Sequence, residues 1–405
     1  MNILHLNQSD IGGGAAIAGY RLHKGLLEKN INSKLLVGHA QIQDPKIAQV
    51  KRKYRLENGI YRLTSKIGLN YINLISSFDI AKHPFVQEAD ILNFHNLHTG
   101  YFNYLSIAKL TRSKPAVYTL HDMWSFTGHC AYSYDCSKWM SGCGKCPYPN
   151  IYVSVKRDSS HLEWKLKNWI YQQSNLAIVT PSSWLYKLAQ SSMLNQLPIH
   201  YVPYGIDTNI YKPLDRQHCR SILEIPKDKK VLLFAAQSIN DKRKGSDIVF
   251  QALHKLPTSL RSDTILLTFG TGEESIESQV GIPVLHLGFI SSEILKPIAF
   301  SASDLFLFPT RADNLPLVLQ ESMSCGVPMV SCDVGGVSDL VRHGVTGYLA
   351  KSNNIEDFIN GIATILSDDQ LRENMSINCR KIAILEYSME LQAQKYIDIY
   401  DALIN

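Results

Sequence analysis

The stretch from Leu305 to Gly336 constrains the fold more than any other part of the chain. It opens with four apolar residues, Leu305-Phe306-Leu307-Phe308, which read as a strand buried on both faces of a parallel sheet. Pro309 and Thr310 end the run, and a polar turn carries Asp313 and Asn314. Pro316 suits a first helical turn, where a missing N–H leaves no bond unmade. The helix runs through Met323 and stops at Gly326, and a second strand, 327–332, leads into Gly335-Gly336. Asp313 therefore sits in the loop at the carboxyl end of a strand, and Glu321 follows eight positions on within the helix. In open α/β sheets that edge is where ligands bind. The amides that open the helix, near Leu317 and Val318, favour an anion.

This stretch resembles the acidic signature of the retaining, glycogen-synthase-like glycosyltransferases of family four. Their pattern is Glu, seven residues, Glu, then a Cys-Gly-x-Pro turn and Gly-Gly. Here Asp313 stands in place of the first Glu, Glu321 is the second, and Cys325-Gly326-Val327-Pro328 and Gly335-Gly336 complete it. The run Ala312 to Glu321 is similar to the subgroup that builds colanic acid and related exopolysaccharides. The resemblance implies the GT-B architecture: two Rossmann-like domains facing each other across a cleft. Strands alternate with helical segments in both halves, which supports an α/β fold independently.

A chain of 405 residues suggests two or three domains. No run of about 18 apolar residues occurs, so no membrane-spanning helix is expected. Met1 to Leu6 reads as a first strand, not a signal peptide. We therefore expect a cytoplasmic protein, peripheral at the inner membrane face. A net charge of +5 permits anionic ligands or an anionic membrane without requiring either.

In the first half, Gly12-Gly13-Gly14 separates the opening strand from a helix, a geometry that lets backbone approach a phosphate. The resemblance places Gly13 and Gly14 beside the donor diphosphate. Residues 46–66 are basic, with Lys51, Arg52, Lys53, Arg55, Arg62 and Lys66, and Tyr54 and Tyr61 among them. They read as a solvated helix face or as a contact for anionic lipid or a lipid-pyrophosphate acceptor. No recognition motif for nucleic acid accompanies them. Two strands end in histidines, one at His95 and one at His121-Asp122. The second resembles the family's histidine loop, which makes His121 a catalytic candidate contacting the donor sugar, with Asp122 to orient it.

Pro203-Tyr204-Gly205-Ile206-Asp207 resembles the family's interdomain stretch, with Tyr204 in place of Asn. We expect an N-terminal acceptor domain over 1–203, a nucleotide-sugar domain over 204–388, and a terminal helix, 389–405, that crosses back. In the second domain Lys244-Gly245 matches the family's diphosphate-cradling lysine. Gln237 occupies roughly the place of the family's arginine, and Arg243 is the residue that can substitute for it. The resemblance also assigns Glu321 to the donor ribose, makes Asp313 a second catalytic candidate that holds the donor sugar, and gives Asn314, Leu315, Leu317 and Val318 to donor binding.

An insertion near 128–150 holds Cys130, Cys136, Cys143 and Cys146, spaced C-x5-C-x6-C-x2-C. Four thiolates would close a tetrahedral structural zinc site, and a metal clip would offset the entropy of ordering a segment with little to bury. Four reduced thiols, or two disulfides, fit the same spacing. Trp124, Tyr132, Tyr134 and Trp139 would form either a wall facing the acceptor or packing over the clip.

The implied reaction moves a sugar, with retention, from a nucleotide diphosphate sugar to a glycan or lipid-linked acceptor. Helix amides and Lys244 can stabilise the leaving diphosphate, so no catalytic metal is expected. The competing readings are an epimerase-like GT-B enzyme, an inactive sugar-nucleotide-binding protein, and a zinc-dependent interaction module.

Overall fold

The computed structural model describes residues 1–272 and 279–404. The chain divides into two compact units, Met1–Gly205 with Glu390–Asn405, and Ile206–Met389.

Unit 1 is built on seven parallel strands: β1 (Asn2–Ser9), β2 (Asn32–His39), β3 (Ile47–Gln49), β4 (Ile91–Phe94), β5 (Ala116–Thr119), β6 (Leu176–Thr180) and β7 (Ile199–Tyr201). Their order is β3-β2-β1-β4-β5-β6-β7. The chain first winds outward from β1 and then resumes on its other side at β4, which makes the gap between β1 and β4 the topological switch point. β4, β5 and β6 are buried along their whole length, as their unbroken apolar runs require. The last helix, Met389–Ile404, packs Ala393, Tyr396 and Tyr400 against Ile3, Leu22 and Val117. The Tyr400 hydroxyl accepts from Asn93 Nδ2 at 2.7 Å, and the Tyr396 hydroxyl bonds Thr119 Oγ1 at 2.9 Å.

Unit 2 repeats the scheme with six parallel strands: β8 (Lys230–Ser238), β9 (Thr264–Thr271), β10 (Val284–His286), β11 (Leu305–Phe308), β12 (Met329–Cys332) and β13 (Gly347–Ala350). The order β10-β9-β8-β11-β12-β13 puts its switch point between β8 and β11. Leu232, Phe234, Leu305 and Leu307 have no exposed surface and form the centre of this core.

The structure differs from expectation in places that have local causes. Tyr204 and Gly205 belong with unit 1, because the Tyr204 hydroxyl is tied to His121. The chain enters unit 2 at Ile206, whose N–H donates to Tyr387 O at 2.8 Å and whose carbonyl accepts from Met389 N–H at 2.9 Å. After Gly336 the chain makes a single tight turn, Val337–Asp339, and no longer helix. There the Thr346 hydroxyl donates to Leu340 O at 2.7 Å and accepts from Arg342 N–H at 2.8 Å, using groups that would continue the helix. Among the described residues no helix is long and apolar enough to cross a membrane.

Candidate active site

In unit 2 the site grows from two loops at the carboxyl ends of the adjacent strands β8 and β11. Gly245 closes the first loop at φ +75°, and a Cβ there would lie 2.0 Å from Pro309 O, so only glycine lets the lysine loop sit on the end of β11. Lys244 Nζ then donates to Asp313 Oδ2 at 2.5 Å, and Arg243 Nη1 to the same oxygen at 3.3 Å and to Ala312 O at 2.9 Å. Burial drives Lys244 toward its neutral form, and Asp313 partly reverses that. Burial also pushes the Asp313 carboxyl up, but Lys244 and Arg243, with the Asn314 N–H, outweigh it and leave the group below the usual carboxylate range. Asp313 is thus a carboxylate, held by the Lys244 Nζ. A second glycine locks the acid: Gly335, at φ +55°, would place a Cβ 1.9 Å from Asp313 O.

The helix Leu317–Ser324 starts immediately beyond, capped by Pro316 with no side chain on its first amides. The amides of Leu317 and Val318 have no carbonyl within the helix to accept them, so this end carries partial positive charge. Asn314 and Leu315 are buried in the connecting loop. Glu321 is buried on the helix, and Lys296 Nζ lies 3.9 Å from its Oε2. Lys296 opens another helix, Lys296–Ala302, and nothing in the local sequence marks it as a partner of Glu321.

Unit 1 has its own set of groups. Gly13, at φ +94°, ends the loop before the helix Gly14–Glu28, whose first amides also lack a side-chain cap. The loop is pinned by Asp10, which sequence reasoning missed: its carboxylate accepts from the N–H groups of Ile11, Gln41 and Ile42 at 2.7–2.9 Å. Those bonds, joined by Ser9, overcome the burial penalty and hold Asp10 below the usual carboxylate range.

At this sheet's switch point three imidazoles form a chain. His5 Nδ1 meets His95 Nε2 at 2.9 Å, His95 Nδ1 meets His121 Nε2 at 3.0 Å, and His121 Nδ1 meets the Tyr204 hydroxyl at 2.6 Å. Burial lowers all three, His121 to about 4, and each of the neighbouring rings adds to the effect on His95. All three are neutral at physiological pH. Asp122 does not orient His121 by a hydrogen bond. Its carboxylate accepts from His98 at 2.8 Å and from Trp124 N–H at 2.8 Å, so it fixes the loop instead.

The four clustered cysteines line one cavity with His129 and Trp139. Among the described residues no group of three or more His, Cys, Asp or Glu side chains could hold a metal ion. His129 Nδ1–H donates to Val153 O at 2.7 Å, which leaves Nε2 to accept from the Cys146 thiol at 3.1 Å. Burial pushes the Cys130 thiol up to about 12 and the Cys143 thiol up to about 11. Of the four expected wall aromatics, Trp124 and Trp139 are buried in the core and Tyr132 stacks on Trp184, while Tyr134 is exposed. For the two tryptophans, packing is the correct reading.

Residues 12–210 match the family described as Glycosyltransferase Family 4, and residues 215–382 the one described as Glycosyl transferases group 1. The Escherichia coli protein assigned as colanic acid biosynthesis glycosyl transferase WcaC is 26% identical over 82% of this chain and 83% of its own length. N-acetyl-alpha-D-glucosaminyl L-malate synthase of Bacillus anthracis is 28% identical over 48% of this chain and 51% of its own. Among solved structures, sucrose-phosphate synthase from Thermosynechococcus elongatus superposes with a TM-score of 0.72 at 15% identity, covering 100% of this chain and 99% of that one. Anabaena Alr3699/HepE in complex with UDP and glucose gives 0.71 at 17% identity, covering 99% and 100%. The fold is GT-B, and the chain belongs to the family-four glycosyltransferases.

Proposed function

We propose that this enzyme moves a sugar from a nucleotide diphosphate sugar to a glycan or lipid-linked acceptor in surface polysaccharide assembly, with retention at the anomeric carbon. The observation that carries the reading is the convergence of Lys244 and Arg243 on Asp313, beside the uncapped start of the helix Leu317–Ser324. Two cations and two free amides at one strand edge form a receptor for a diphosphate. In the donor-free protein Asp313 neutralises the cations. When a donor binds, Lys244 and Arg243 turn to the phosphates and Asp313 is released to the hydroxyls of the sugar. Glu321, steadied by Lys296, accepts from the ribose hydroxyls. The departing diphosphate is met by charges that the chain itself supplies, so turnover proceeds without a catalytic metal. That diphosphate takes the acceptor proton on the face it leaves.

In unit 1, His121 is the residue we assign to a sugar hydroxyl. Both of its ring nitrogens are engaged, by His95 and by Tyr204, so it reaches a sugar hydroxyl only by sharing or exchanging one of those bonds. The name of one relative, in colanic acid biosynthesis, supports the class of acceptor. A panel of nucleotide sugars screened by thermal shift tests the reading, because a ligand that binds only the native state raises its melting temperature. One nucleotide sugar should stabilise the protein, and NMR of the product should show the anomeric configuration of the donor. No stabilisation by any member of the panel, or an inverted product, would remove the proposal.

A further inference from the structure

The helix Tyr54–Thr64 has its polarity reversed. A surface helix ordinarily turns its apolar residues inward. This one turns Glu57 and Thr64 inward and leaves Leu56 at 55% exposure and Leu63 at 68%. Glu57 is fully buried: it pairs with Arg52 at 2.9 Å and accepts from Ser76 N–H at 2.9 Å, while Asn73 Nδ2 donates to its carbonyl at 3.3 Å. The helix is therefore fastened to unit 1 by an ion and its hydrogen bonds, and its leucines face out.

The outward face is ordered. Leu56 and Leu63 lie seven residues apart and share one line along the helix, and Arg55 and Arg62 share the next. Ile67 and Lys66 extend the surface just past the helix, both exposed. A neighbouring segment joins it: Ser159 Oγ donates to Ile67 O, Gly68 packs against the Arg157 carbonyl, and Lys156 Nζ lies 5.7 Å from the Tyr61 ring centre. Leu162, on the following helix, is 46% exposed. Of the nearby exposed carboxylates, Asp79 is already bound by Lys53 at 2.6 Å and Lys82 at 2.8 Å, and Asp158 accepts from Cys146 N–H at 2.7 Å and Ser160 Oγ at 2.6 Å. Arg55, Arg62 and Lys66 have no ion pair among the described residues.

We propose that this face rests on an anionic bilayer, with Leu56, Leu63 and Ile67 in the interfacial layer and Arg55, Arg62 and Lys66 on lipid phosphates. Exposed leucines flanked by unpaired cations are what an in-plane helix needs: apolar area for the acyl boundary and charge for the headgroups. A second copy of the chain fits poorly, because two such faces would oppose like charges. The proposal goes beyond the transferase reading, and donor binding is measured separately, so either can fail alone.

The test is flotation of the intact protein with phosphatidylcholine vesicles, with and without phosphatidylglycerol. The protein should float with the anionic vesicles, and at least about tenfold less with the neutral ones. The double variant Leu56→Glu/Leu63→Glu, and separately Arg55→Gln/Arg62→Gln, should each lower binding about tenfold while nucleotide-sugar binding and melting temperature stay as in the parent. These residues make no core contact, so the variants fold. Failure of the parent to float, unchanged flotation of both double variants, or a dimer in solution that Leu56→Glu/Leu63→Glu splits would each overturn the proposal.

Discussion

The Nδ1 of His121 lies 2.6 Å from the hydroxyl of Tyr204, at the residue before Gly205, where the first segment of unit 1 ends. Tyr204 occupies the position where the related interdomain motif has Asn, and here its ring also stacks on the imidazole, with centres 5.5 Å apart. Tyr204→Phe should keep the stacking and remove one hydrogen bond from a buried ring, at about 0.5–1.5 kcal/mol. Urea unfolding should show that loss with an unchanged slope. Unaltered stability together with unaltered turnover would show that the bond does nothing.

Stability should fall on acidification within a defined window. Burial lowers both His121 and His23 to about 4 from the ordinary 6.5. A histidine lowered in the folded state is protonated first in the unfolded chain, so its contribution is intact above about pH 6.5 and is lost between there and about pH 4. Each of the two is worth on the order of 3 kcal/mol over that span. Urea midpoints should be level from pH 8 to 7 and drop steeply from about pH 6 to 4.5. A flat profile across that range would mean that the imidazole chain is not buried as described.

Lys244 and Asp313 should separate binding from chemistry. Lys244→Ala removes a charge-assisted contact to phosphate and should weaken nucleotide-sugar binding by roughly 1.5–3 kcal/mol. Asp313→Asn frees Lys244 from its carboxylate, so the free nucleoside diphosphate should bind as well as before or better, while turnover falls. Calorimetry with the diphosphate and with the intact donor checks both. Equal loss of diphosphate affinity in the two variants would mean that Asp313 does not compete for the lysine.

The cysteines of the insertion should be slow to react. With Cys143 raised to about 11 and Cys130 to about 12, only a trace of either is thiolate near neutral pH. Alkylation at pH 8 should be about a hundredfold slower at Cys143 in the native protein than after unfolding. Elemental analysis showing one zinc per chain, released by Cys143→Ser, would reassign these thiols to a metal.

Much of this architecture is written locally in the chain. Leu305–Phe308 announces β11 through four consecutive apolar residues, and Gly245 and Gly335 mark turns that later prove to need positive φ. The Asp313 and Glu321 pair stands out because both lie within one strand–helix unit. What the sequence conceals are partnerships made by strand order. His5, His95 and His121 are 90 and 26 residues apart, and they meet because β1, β4 and β5 lie side by side. Lys296 reaches Glu321 from a helix whose own pattern is that of ordinary packing. The outward leucines of the Tyr54–Thr64 helix were hidden for a different reason: hydrophobic spacing alone suggests an inward stripe, and only the burial of Glu57 reverses it.

The placement of the last helix has a consequence for how the polypeptide matures. Tyr396 and Tyr400 supply hydroxyl partners for Thr119 and Asn93, so the sheet of unit 1 waits for residues made only after the whole of unit 2. Unit 2 is drawn from one uninterrupted segment, Ile206–Met389, and has its whole core in hand earlier. Domains made in sequence commonly fold from the amino terminus onward. Here the later-made unit can finish first, while the opening strands stay partly exposed until the tail returns to seal them.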